Sequence, residues 1–64
     1  MNIILECTTD IKINKRFKYK LIKKEDVVEA SIGSLGIYIR FSDDLWSDAY
    51  HPSHIKRHFK VYNQ

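Results

Sequence analysis

Apolar and polar residues alternate along most of this chain with the period of two that marks β-strands. In residues 2–7, Ile3, Leu5 and Cys7 share one face. In residues 17–22, Phe17, Tyr19 and Leu21 alternate with Lys18 and Lys20, which reads as a half-buried strand with its lysines in water. Residues 27–32 give another strand. Residues 35–41 give the clearest, with Ile37, Ile39 and Phe41 on one side and Tyr38 and Arg40 on the other. Leu45 to Tyr50 is a shorter candidate. Loop formers fall between these segments: Thr8, Thr9, Asp10 and Asn14 around the short apolar pair Ile11 and Ile13, then the charged turn Lys23 to Asp26, then Ser42-Asp43-Asp44. Gly33-Ser34 is the expected tight turn, because glycine reaches positive φ without steric cost.

From Tyr50 onward the pattern supports two readings. Pro52 can open a helix in which Ile55, Phe59 and Tyr62 recur at helical spacing. Alternatively, Pro52 to Arg57 is a single 3₁₀ turn followed by a strand with Phe59 and Val61 inward, and this second reading is preferred. The expected architecture is therefore mostly all-β, in one domain over residues 1–64. It is a small five-stranded antiparallel barrel or curved sheet with a short 3₁₀ or α turn near residues 52–58. Its inward residues are expected to be Leu5, Tyr19, Leu21, Val28, Ile37, Ile39, Phe41, Ile55 and Phe59.

Length and composition narrow the classes. A chain of 64 residues holds one domain, and a domain near 60 residues buries only about 60% of the surface its unfolded chain exposes. Apolar residues make up 44%, enough for a globular core, and the spread of Ile, Val, Leu and aromatics along the chain argues against disorder. The lone cysteine, Cys7, cannot form an intrachain disulfide, which favours a reducing compartment. The first residues lack a basic stretch and meet Glu6, unlike a signal peptide, and no apolar run approaches the roughly 20 residues of a membrane span. The expectation is a cytoplasmic protein with no membrane contact. A short chain rich in lysine, isoleucine and asparagine also suits a mobile-element protein.

Several residue sets invite chemistry. His51, His54 and His58 have a spacing that could bring imidazoles to one metal ion, but a closed zinc site needs a fourth ligand, from Asp48 or Cys7. No paired Cys or His motif supports it, and no metal is expected. Cys7 with a histidine is the available nucleophile pair, yet so short a chain builds no cleft for it, and Cys7 reads as a small core residue. Asp43, Asp44 and Asp48 read as a solvated acidic loop rather than an acid–base pair or a magnesium site. No glycine-rich phosphate-binding pattern is present. The chain is expected to be neither an enzyme nor a cofactor protein.

The order of short strands, with the stretch Pro52-Ser53-His54-Ile55-Lys56 before the last, resembles the Src-homology-3-like small barrels. In those barrels the proline opens a 3₁₀ turn and the aliphatic residue plugs the barrel end, so the resemblance implies that role for Ile55. The likeness covers Val27 to Tyr62. The Ala-Leu-Tyr-Asp-Tyr stretch of the peptide-binding members has no match in residues 1–20, so the resemblance implies a fold and not proline-rich peptide recognition.

Two surfaces remain as binding candidates. Eleven Lys/Arg against eight Asp/Glu give +3, a mild excess. The acidic Ser42–Tyr50 loop sets Trp46 and Tyr50 among Asp43, Asp44 and Asp48. It would make a protein interface, unless Trp46 is core. The basic set comprises Lys15, Arg16, Lys18, Lys20, Lys23 and Lys24 on one strand, with Lys56, Arg57 and Lys60 near the end. It would meet phosphates, while Phe17 and Tyr19 are expected to face the core. The reading placed first is a non-catalytic protein-interaction module, a small regulator or inhibitor that occludes a larger protein partner. The alternative is an RNA- or DNA-binding barrel working through Lys15 to Lys24.

Overall fold

The computed structural model describes residues 1–62. The strands are β1 (Asn2–Cys7), β2 (Ile11–Lys15), β3 (Lys18–Ile22), β4 (Val27–Gly33), β5 (Gly36–Ser42), β6 (Leu45–Trp46) and β7 (Phe59–Val61), and α1 (Pro52–His58) precedes the last of them. Five strands form one antiparallel sheet in the order β6-β5-β4-β1-β7, and β2 and β3 form a separate hairpin. The sheet does not close on itself, so the mostly-β expectation is met by an open, curved form. β1 is central because both its edges are used: Leu5 lies opposite Val28 on β4 and opposite Val61 on β7. Its inward residues Leu5 and Cys7 join Ala30, Ile39, Ile55 and Phe59 in the core.

The hairpin departs from expectation twice. Residues 11–15, expected to be loop, form β2. Tyr19 and Leu21, expected inward, are 62% and 55% exposed. The physical reason is parity. Ile11 and Ile13 share one face of β2, and both are buried. Pairing places Ile22 opposite Ile11 and Lys20 opposite Ile13, so the inward face of β3 belongs to Ile22 and not to Leu21. Alternation counted forward from Phe17 therefore runs one residue out of phase. Lys20 shares the inward side but reaches its edge, where Nζ donates to the Phe41 carbonyl at 3.2 Å.

The β4–β5 turn also shifts by one residue. Gly33 pairs with Gly36, so Ser34-Leu35 is the turn tip, in place of Gly33-Ser34. Gly36 has φ of 144°, and a Cβ there would stand 2.7 Å from the Tyr50 carbonyl oxygen. Beside it, Ile37 and Tyr50 exchange N–H···O bonds, both at 2.9 Å. Only glycine lets the two backbones pass this closely.

The tail combines the two readings. Pro52–His58 is an α-helix, not a 3₁₀ turn, yet a strand follows it directly. His51 caps the helix, its Nδ1 accepting from the Ser53 N–H at 3.1 Å. Ile55 is the helix's buried residue, and the Phe59 N–H donates to the Ile55 carbonyl as the chain turns into β7. Phe59 is inward as expected. Val61 is 67% exposed, against expectation, because it lies on the edge strand beside an open part of the core.

If parity sets the hairpin, Ile13→Ala should cost about 2–5 kcal/mol in urea melts, whereas exposed Leu21→Ala should stay within about 0.5 kcal/mol. Equal costs would contradict the orientation described here.

Candidate binding surfaces

The hairpin is held at its base and middle and left bare at its tip. At the base, Asp10 Oδ1 accepts from the Lys24 N–H at 2.7 Å, and the Glu25 N–H donates to the Cys7 carbonyl at 2.7 Å. Midway, the Asn14 N–H donates to Tyr50 Oη at 2.9 Å, and Lys15 meets Asp48 at 3.5 Å. Beyond these ties the chain reverses through Arg16-Phe17, between paired Lys15 and Lys18. Arg16 takes a positive φ of 54°, a conformation that costs a non-glycine residue about 1–2 kcal/mol. Phe17 is fully exposed at 103%. Tyr19 lies on the outer face with Lys12 Nζ 5.0 Å from its ring centre. An open apolar hollow of about 430 Å³ lies beside the tip, lined by Lys15, Arg16, Phe17, Lys18 and Leu45.

Charge is divided unevenly between this arm and the body. Residues 10–24 carry seven of the eleven Lys/Arg and one of the eight acids, a net of +6. The remainder has four cations and seven carboxylates, a net of −3. Lys23 is paired with Asp10 at 4.0 Å, while Arg16, Lys18 and Lys24 have no carboxylate within ion-pair distance among the described residues. Lys56, Arg57 and Lys60 lie elsewhere, on α1 and β7, with Lys60 3.9 Å from Glu6.

The acidic loop is not one surface. Trp46 is half-buried on the outer sheet face, with the Arg40 guanidinium 5.3 Å from its ring centre. Arg40 is held by Glu29 at 2.9 Å and by the Asp43 carbonyl at 2.7 Å. Trp46 shares a shallow depression with Asn2, Ser31 and Tyr38. Asp43 and Asp44 are exposed in the turn, and Asp48 points to the hairpin. Tyr50 acts as a strut: its hydroxyl holds β2, its backbone bridges Ile37, and its ring stacks on His54 at 5.2 Å.

Sequence reasoning missed Ser47. It is buried, accepts from the Ile39 N–H at 2.9 Å and donates to the Asp48 carbonyl at 2.9 Å. Its place in the Leu45 to Tyr50 strand candidate gave no sign of this role, and the strand itself stops at Trp46. The histidines divide: His51 caps α1, while the His54 and His58 rings lie tilted to each other with centres 5.3 Å apart. Among the described residues no three His, Cys, Asp or Glu side chains gather into a possible metal site. The Cys7 thiol is buried and donates to the Thr9 carbonyl at 3.1 Å. Burial pushes its pKa up, the Thr9 bond opposes that, and Asp10 and Asp26 add to it, so the surroundings favour the neutral thiol. No described helix is long and apolar enough to cross a membrane.

Compared with protein-family models, curated proteins and solved structures, the chain matches none of them.

Ser47→Ala should cost about 1–3 kcal/mol, because it leaves the buried Ile39 N–H without an acceptor. Thermal or urea melts measure this, and an unchanged midpoint would show that the bond carries no stability.

Proposed function

We propose that this protein is a non-catalytic binding module that presents its β2–β3 hairpin to single-stranded nucleic acid. The observation that carries the reading is the pinned hairpin with a net charge of +6 on residues 10–24 and with Phe17 and Tyr19 exposed among its cations. Single strands are held by cations along the phosphates and by aromatic rings against the bases, and both lie on one short arm here. The acidic body orients the encounter, since a phosphate chain is drawn to the arm and repelled by the carboxylates. The fold reading that goes with this function is an open Src-homology-3-like barrel. It is supported by the helix opened at Pro52 just before the last strand and by that strand lying beside β1. The lone buried thiol fits a reducing, cytoplasmic setting.

A second reading, a regulator or inhibitor that covers a protein partner, is favoured by one observation: Trp46 is only half-buried and shares a depression with Tyr38. Trp46→Ala would then weaken protein binding by about 2 kcal/mol or more, while leaving oligonucleotide binding intact.

Fluorescence anisotropy with labelled single- and double-stranded oligonucleotides tests the first reading. Affinity should fall steeply with salt. Changing Arg16, Lys18 and Lys24 together to Gln should reduce the slope of log K against log salt by about 2. Phe17→Ala should weaken binding by about 1–3 kcal/mol without moving the melting midpoint. Absence of binding at low salt, or binding indifferent to salt, would remove this function.

A further inference from the structure

The unclosed sheet leaves a second surface that the hairpin does not use. Leu5, Ile55 and Phe59 form the buried floor of an open groove of about 250 Å³. Ile3, Ile37 and Val61 contribute apolar walls, and Lys56 and Lys60 stand at its rim. No carboxylate lines it among the described residues.

The groove runs beside a strand edge. β7 pairs with β1 and with no other described strand. The Tyr62 N–H donates to the Ile4 carbonyl at 2.9 Å, and the Thr8 N–H donates to the His58 carbonyl at 2.7 Å. Antiparallel ladders alternate, so residues 58, 60 and 62 aim their main-chain groups at β1 and Phe59 and Val61 aim theirs away. The Phe59 N–H is taken by Ile55. The Phe59 carbonyl and both main-chain groups of Val61 thus face the open edge, next to apolar side chains. An edge of this kind is a template for an added strand, with main-chain bonds giving affinity and alternate side chains entering the groove.

The charge decides what kind of strand. Pairing with a second copy about the middle of β7 would set Lys60 opposite Lys60, and like charges directly opposite are unfavourable. A foreign strand with carboxylates on the Lys60 side meets opposite charge, and among the described residues Lys60 has one ion-pair contact to give up, with Glu6 at 3.9 Å. We propose that the free edge of β7 is a docking site for an extended segment of a partner protein. That segment alternates apolar residues, which fill the groove, with acidic residues on the opposite face of the strand, where Lys60 lies. This site is independent of the hairpin and does not require that the hairpin bind nucleic acid.

The test is a titration of the isotope-labelled full chain with a synthetic peptide of alternating valine and glutamate, followed by amide resonances. A peptide of alternating valine and lysine serves as control. The acidic peptide should shift residues 55–61, slow hydrogen exchange at the Val61 amide, and bind about tenfold or more tightly than the control. Val61→Pro removes the outward donor at a position where edge strands accept proline, and should abolish the shifts. Lys60→Glu, an exposed change that keeps the backbone, should reverse the preference between the two peptides. Shifts confined to residues 15–24 would show that the hairpin had bound the acid, and would overturn the proposal. So would binding undiminished in both variants, or β7 shifts that grow with protein concentration without peptide, which would reveal a second copy on the edge.

Discussion

The burial of Ile11, Ile13 and Ile22 under the sheet is the constraint on which the rest of this molecule depends. A two-stranded hairpin has little stability alone, and these three side chains are what it offers the core. Once they face inward, the period of two leaves no freedom: Lys12, Asn14, Tyr19 and Leu21 must face outward. The exposed Tyr19 ring among the cations follows from core packing alone. What makes the arm chemically interesting is thus a by-product of how it is anchored. The fully exposed Phe17 and the positive φ of Arg16 have no such explanation, since neither contributes to the core.

The short segment Ser47–His51 joins hairpin, sheet and helix, although it contains little regular structure. Ser47 supplies the acceptor for Ile39, Asp48 meets Lys15, Tyr50 holds both Asn14 and Ile37, and His51 starts α1. In a domain this small, an unsatisfied buried polar group would offset a large part of the net stability. Among the described residues no buried side-chain nitrogen or oxygen lacks a partner. This segment also explains why Gly36 is glycine, since the close approach of the Tyr50 carbonyl excludes a Cβ. Two of the residues that looked most like interface groups in sequence, Tyr50 and Asp48, are therefore occupied in holding the hairpin to the body.

Electrostatics and openness then separate two surfaces. The arm is basic and wet, so a ligand held there by charge would be held through screened, salt-sensitive contacts. The β7 edge is apolar and backbone-based with a few charges around it, so hydrogen-bond register would align a docked strand and charge would select it. The second exists because the sheet is open: a closed barrel would pair β7 and remove that edge altogether.

The sequence by itself determined the mostly-β class, the central strands β4 and β5, the inward Leu5, Ile39, Ile55 and Phe59, and the uneven distribution of charge. Those follow from local alternation and composition, which act over a few residues at a time. It pointed to the wrong face of the hairpin, with Tyr19 and Leu21 inward and residues 11–15 in a loop. Phe17, Tyr19 and Leu21 form as good an apolar stripe as Ile11, Ile13 and Ile22, and only packing against the distant sheet selects between them. The same limit hid Ser47, whose role depends on Ile39, and the strut made by Tyr50, whose hydroxyl meets Asn14 far away in the chain. It also left the tail between two readings, because one turn of helix and the strand after it share the same apolar anchors. Tertiary structure decided each of these points, since each rests on a contact between residues that the local pattern cannot relate.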